Sequence, residues 1–377
     1  MPEDERFGAM REGVQEVDAT GDQPGHQDDD RFLAEDDSEA RGQVRDRRNR
    51  RRALAVMAGL LAVILIAGLA IGGWYLSRIN SALDKVKRDP SIMPTGDTTA
   101  VAPTPSDPKN KQPMTFVLLG SDSRGPDQGR SDVLMTAYVP GNRQHVYLTS
   151  YPRDLWVPIP GHGEAKINAA YAFGGPALTV STVQDLTGIK MDHVALIDFE
   201  RFIQLTEALG GVTVNNKVAS KQGQYTFPKG KITIRGKEAL VYVRQRHGLP
   251  NGDFDRAERQ RAVVQAIIGE MLSKGVVANP KRFDEVAQTF AESVTVDSGL
   301  TNEKIRSLAT SMRMNSGADV RSLQAPSAGF GTSSDGQSIV KLDRPGLDDM
   351  TRAMKNDTMD TFWDKAQNDC RYTPSGC

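Results

Sequence analysis

Apolar positions follow three successive patterns along this chain. Residues 1–44 carry almost no large apolar side chains, so they cannot bury enough surface to offset chain entropy. Ala53–Leu76 then runs for 24 residues without a charge, enough to cross a hydrocarbon core of about 30 Å as a helix. Trp74 and Tyr75 stand where an interfacial aromatic belt is expected. From Met114 onward, short apolar runs alternate with amphipathic stretches. Met114–Leu119, Asp132–Val139 and His145–Ser150 read as strands, the last two joined by a Pro140-Gly141-Asn142 turn. Ala169–Phe173 and Pro176–Leu186 read as helices, Val194–Asp198 as a strand and Phe199–Leu209 as a helix stopped by Gly210-Gly211. Val212–Val214 and Lys231–Ile234 are strand-like. Gly236–Val243 fits either period, and we favour a short helix followed by extended backbone. Helices are expected at Asp253–Leu272, Arg282–Ser293 and Asn302–Ser311, a strand near Val320–Gln324 and a final helix over Leu347–Met354. Helices interleaved with strands predict an α/β sandwich around one sheet.

Charge changes this picture in two places. Residues 1–44 hold 14 Asp/Glu against four Lys/Arg, a net of −10. Residues 45–52 (RDRRNRRR) carry +5, and their position directly before the apolar run places the N-terminus in the cytoplasm and the rest outside. The total is −1, leaving the remainder near +4, too mild for a nucleic-acid-binding domain. Between the apolar run and the first strand, Pro90–Pro113 carries six prolines and reads as a spacer. Cys370 and Cys377 would form a small closing disulfide outside the cell and stay free thiols in a reducing compartment.

Candidate chemistry lies in polar stretches that follow apolar strands, and most densely in Arg244–Gln260 (RQRHGLPNGDFDRAERQ). Asp253, Arg256 and Gln260 share a helix face at three- and seven-residue offsets, beside an N-terminus that favours anions. Arg244 and Arg246 precede them, and guanidinium forks suit phosphate oxygens. Upstream stand GSDSR (Gly120–Arg124), GRSD (Gly129–Asp132), YPRD (Tyr151–Asp154) and KIN (Lys166–Asn168). Asp122 and Asp132 bracket one sheet edge and suit a hard cation such as Mg²⁺, although carboxylates flanking a loop are also ordinary turn residues. Arg153 beside Asp154 is equally readable as a surface ion pair. There is no Ser–His or Cys–His pair, no nucleophile elbow and no Walker loop. Surplus positive charge with a metal and no covalent nucleophile is what phosphoryl transfer needs.

These motifs together resemble the LytR–CpsA–Psr family of bacterial cell-envelope proteins. The resemblance rests on LLGSDSR, RSDVLM, SYPRDLWV, KINAAYAFGG, DHVALIDFERF, LGGVTV and YVRQRHGLPNGDFDRAERQR, and is close from Met114 to Ala266. It implies a mixed central β-sheet between helix layers with an apolar cavity for a prenyl chain, for which Tyr171, Phe173, Leu178, Val180, Leu196, Phe199, Phe202 and Leu205 are candidates unless they are plain core. It further implies an Mg²⁺- or Mn²⁺-dependent transferase that moves a glycan phosphate from a polyprenyl-pyrophosphate carrier to a peptidoglycan hydroxyl. Asp122 and Asp132 would hold the metal. Arg130, Arg153, Arg244, Arg246 and Arg256 would hold the pyrophosphate, with Asp253 and Gln260 orienting them. Lys166, Arg124 and Arg259 would add substrate contacts. The expected organisation is an acidic cytoplasmic tail (1–52), a transmembrane helix (53–76), a stem and linker (77–113), an extracytoplasmic catalytic core (114–275) and the C-terminal part of the same domain (276–377). Hydrolysis of the carrier pyrophosphate, or non-catalytic binding of wall polymer, remain the alternatives.

Overall fold

The computed structural model describes residues 57–58, 61–63, 65–121 and 131–373. The expected acidic tail therefore lies outside the described residues, as do Asp122, Arg124, Arg130, Cys377 and the side chain of Asp132. The chain divides into two units at Ile71/Gly72. An apolar helix, α1 (Leu61–Leu83), is long enough to span a membrane.

The folded unit continues with β1 (Lys87–Arg88), β2 (Met114–Ser121), β3 (Ser131–Val139), β4 (Val146–Ser150), β5 (Trp156–Ile159), β6 (Gly163–Lys166) and α2 (Ala169–Thr187). Next come β7 (His193–Asp198), α3 (Phe199–Ala208), β8 (Val212–Asn216), β9 (Ser220–Gln222), β10 (Tyr225–Phe227), β11 (Gly230–Ile234), α4 (Gly236–Arg244) and α5 (Asp253–Met271). The last third holds α6 (Lys274–Val277), α7 (Pro280–Ser293), β12 (Val294–Val296), α8 (Asn302–Ser311), β13 (Val320–Gln324), β14 (Ser327–Thr332), β15 (Ser338–Leu342), α9 (Arg344–Lys355) and α10 (Met359–Ala366).

Seven strands form one mixed sheet in the order β1-β12-β7-β2-β3-β4-β13. Along β2, Val117 and Leu119 join a core under α2, α9 and α10, whereas Phe116 and Leu118 join one under α5, α7 and α8. A strand covered on both faces needs apolar residues at every position, which is why these strands read as continuous runs. A third core, including Phe202, Leu205, Val212 and Leu240, packs α3 and α4 against β8 and β11. Tyr171, Val180, Phe202 and Leu205 are buried members of these cores, so packing already accounts for them.

Three differences from the sequence expectations have physical causes. The proline-rich stretch is laid against the domain: Ile92 is buried in the first core, Val101 bridges Ile189, and Thr104 N–H donates to Lys355 O at 2.8 Å. Helix α9 is not the last, because α10 follows and adds Ala366 to the core. Hairpins β5–β6, β9–β10 and β14–β15 are short, and their pairing is fixed by neighbours rather than by a periodic pattern. The expected pair of helices on either side of Gly174-Gly175 does occur: both glycines leave helical geometry within α2, Gly175 at φ 66°, and the second helix restarts at Pro176. Cys370 is disulfide-bonded.

The sheet is tied to the C-terminal region through Asp357, which has φ 52°. Its carboxylate accepts from Tyr138 Oη at 2.7 Å and from Gly141 N–H at 3.1 and 3.2 Å. Tyr138 is 1% exposed, so removing the acceptor strands a buried hydroxyl. Asp357→Ala is expected to lower stability by about 3 kcal/mol, read from urea unfolding of the full chain in detergent. Asp357→Asn tolerates the positive φ and should cost less than half of that.

Candidate active site

Strand polarity decides where the polar loops gather. Strands β2 and β7 are parallel, β3 and β4 run antiparallel in turn, and β13 is parallel to β4. The carboxyl ends of β2, β7, β4 and β13 therefore share one edge. The loop after β4 carries Arg153, and β6 delivers Lys166 beside it. Helix α5 brings its N-terminus to the same place: the Asp253 carboxylate accepts from Arg153 N–H at 3.4 Å. Arg261, two turns along α5, donates to Ser150 Oγ at the end of β4.

Two hollows meet here and share Arg153 and Asp253. The inner one is narrow and is lined by Arg153, Asn168, Tyr171, Asp253, Arg256 and Gln260 among others. The outer one is an open cleft of about 820 Å³ that adds Asp154, Lys166, Arg246 and the loop His247–Gly252. Six of the residues expected to handle a diphosphate (Arg153, Lys166, Arg246, Asp253, Arg256 and Gln260) thus converge from separate segments. Arg244 ends α4 two residues before Arg246 and does not line either hollow. The short helix followed by extended backbone occurs as expected, with Gln245 at φ −60°, ψ 128°.

Carboxylates are interleaved with the cations. Asp253 pairs with Arg256 one turn along α5. Asp154 pairs with Lys166 at 3.0 Å and with Arg153 at 3.7 Å, so the surface ion pair that the sequence allows is present, at the wall of the cleft. Gln260 is held by a hydrogen bond from its Nε2 to Val243 O at 3.2 Å. Helix α5 starts from Gly252 at φ 52°, with Asp253 and Asp255 in its first turn, where negative charge complements the helix dipole.

Arg259 is not brought to the cleft. It is buried on another side of α5, donating to Gln245 Oε1 and Ser220 Oγ at 2.8 Å, to Val218 O at 3.0 Å and to Asn216 Oδ1 at 3.2 Å. Its guanidinium lies 4.4 Å from the Tyr242 ring centroid. Burial lowers its pKa, an effect that Tyr242 and Asp255 partly offset. It holds β8, β9 and α4 to α5. Arg261, which the sequence reading does not single out, is buried and borders the cleft. Burial pushes its pKa down to about 10, so it stays cationic near neutral pH.

For a metal, the described residues contain no cluster of three or more His, Cys, Asp or Glu ligands. Asp132 lies in β3 between paired Ser131 and Val133, at a register shift opposite Gly120 and Ser121. Asp122 directly follows β2 in the sequence. Carboxylate oxygens are hard donors of the kind that suit Mg²⁺ with water or phosphate oxygens completing the shell.

Known proteins match this architecture and sequence. The sequence model of the LytR_cpsA_psr family matches residues 77–356. The chain is 31% identical over 311 residues to the polyisoprenyl-teichoic acid–peptidoglycan teichoic acid transferase TagU of Enterococcus faecalis, covering 81% of this chain and 97% of that protein. The crystal structure of Bacillus subtilis TagV superposes with a TM-score of 0.58 at 25% identity, over 67% of this chain and 98% of the other. TagT bound to LI-WTA superposes with a TM-score of 0.51 at 29% identity, over 67% and 92%. With most of its length matched in both sequence and fold, this chain belongs to the LytR–CpsA–Psr family.

Proposed function

We propose that the protein is a membrane-anchored phosphotransferase that attaches a wall glycopolymer to peptidoglycan. The observation that carries this reading is the convergence of Arg153, Lys166, Arg246, Asp253, Arg256 and Gln260 on two adjoining hollows that share Arg153 and Asp253. Relatives named as polyisoprenyl-teichoic acid–peptidoglycan transferases support the same class of donor and acceptor. The arginine-rich segment 45–52 ahead of α1 supports an anchor with the cleft outside the cell.

In this reading a peptidoglycan hydroxyl attacks the phosphorus that bears the glycan. The bond from that phosphorus to the bridging oxygen breaks, polyprenyl phosphate leaves, and the hydroxyl proton passes to a base. The cleft's part is to hold the diphosphate in line and to meet charge as it moves to the leaving oxygen. Arg153, Arg246 and Arg256 offer planar forks to the phosphate oxygens. Asp253 fixes Arg256 and the backbone of the Arg153 loop in position, and Gln260 lines the same hollow. Arg124, Arg130 and Arg244 would add positive charge. Asp122 and Asp132 would hold Mg²⁺, which when bound neutralises part of the diphosphate charge.

The direct test is incubation of the full chain with radiolabelled lipid-linked glycan and peptidoglycan fragments. Label in the muropeptide fraction is expected, and release of free glycan phosphate alone would mean hydrolysis instead. Arg153→Ala and Arg246→Ala should each lower transfer by ~10²-fold or more with little change in melting temperature. Wild-type turnover in both would remove the cradle from consideration. Arg246→Lys should fare nearly as badly, because an ammonium cannot form the fork. Arg259→Ala separates structure from chemistry: its expected signature is a loss of about 3 kcal/mol in unfolding, as two buried and two half-buried partners lose their donor. Chelation of divalent ions should abolish transfer while leaving carrier binding measurable, and metal-independent turnover would rule out the Asp122/Asp132 assignment.

A further inference from the structure

The outer cleft has one wall that diphosphate chemistry does not explain. Hairpin β14–β15 leaves the sheet edge directly after β13, and Ser327, Gly329, Phe330 and Ser338 line the cleft opposite Lys166 and Arg246. Phe330 is 69% exposed. It sits at a register shift in the hairpin, preceded by Gly329 at φ 87°, the kind of bulge that redirects a side chain beside a site. The ring is not loose. It meets Phe254, the second residue of α5, edge-on at 5.6 Å and 88°. The hairpin is anchored in turn to the Arg153 loop, since Val340 N–H donates to Asp154 O at 2.9 Å and Leu155 bridges Val340. An exposed aromatic ring is therefore held in fixed relation to both Arg153 and the start of α5.

Resting on the transferase reading, we propose that Phe330, backed by Phe254, is a stacking platform for a pyranose ring of the carrier-linked glycan, next to its diphosphate. A pyranose has an apolar C–H face and a hydroxyl-bearing rim, and it needs an aromatic face with polar groups around it. The cleft supplies both, since Asp154, Asn251, Ser327 and Ser338 line it together with Phe330. A prenyl chain is the poorer occupant, because lying here it would strip water from Asp154, Lys166, Arg246 and Asp253 without replacing their hydrogen bonds. Stacking at a distance from the reacting phosphorus orients the donor, so Phe330 is a positioning residue.

The test compares wild type, Phe330→Ala and Phe330→Trp as full chains in detergent, with two probes: polyprenyl pyrophosphate bearing a disaccharide, and polyprenyl pyrophosphate bearing no sugar. Phe330→Ala should weaken binding of the disaccharide carrier by about 10-fold, raise KM by the same factor with kcat little changed, and leave sugar-free carrier binding as in wild type. Phe330→Trp should restore binding, and its indole fluorescence should shift only with the disaccharide carrier. Equal weakening on both carriers would assign the ring to the prenyl chain or to cleft structure, and no weakening on either would dismiss the platform; both outcomes overturn the proposal. The binding comparison needs no turnover, so it decides the platform even if transfer is absent. Transfer by wild type with a neutral Phe330→Ala would leave the transferase reading standing and this inference refuted.

Discussion

Guanidinium and ammonium groups cannot be gathered around one hollow unless something offsets their mutual repulsion while no anion is bound. Here two carboxylates do so. Asp253 pairs with Arg256 and accepts from the Arg153 backbone, and Asp154 pairs with Lys166 and Arg153. Each carboxylate touches side chains or backbone from two elements, so it also fixes their spacing. An arriving diphosphate meets cations already oriented, and little reorganisation remains when charge moves along the scissile bond.

Helix α5 distributes three consecutive side chains to three tasks because successive residues differ by about 100° around a helix. Arg259 points into the β8–β10 layer, Gln260 reaches the inner hollow and Val243 O, and Arg261 reaches Ser150 at the end of β4. The same run of sequence thus supplies a structural clamp, a site residue and a buried cation. Residue type alone could not sort them. Only the angle around α5, combined with what packs on each side, separates Arg259 from Arg256.

Much of the fold could be read from the chain because the central strands are buried on both faces and so leave unbroken apolar runs. The short helix α4 followed by extended backbone was also legible, since Ala239, Leu240 and Val243 fit a helical period. The Arg-x-Arg pair, however, does not converge as expected: Arg246 lines the outer cleft and Arg244 lines neither hollow. The hairpin β14–β15 was not legible. Its segment SAGFGT has no periodic apolar face, and its pairing is held by contacts with Asp154 and Leu155, nearly two hundred residues earlier. The glycines flanking Phe330 were the one local signal available. Likewise, Pro90–Pro113 has the composition of a spacer, and only the docking of Ile92 and Val101 shows it bound to the domain.

The sheet is flanked on both sides by late strands. Strand β12 separates β7 from β1, pairing Thr295 with Lys87, and β13 closes the other flank by pairing Arg321 with Tyr147. As the chain emerges from synthesis, β2, β3, β4 and β7 can assemble early, but their outer edges stay open until residue 324 has followed. Such long-range pairing is slow to form, and open strand edges invite association with other chains. A nascent copy stalled before β13 would present an unpaired β4 edge, and its Arg153 loop would still lack the anchor that Val340 later provides.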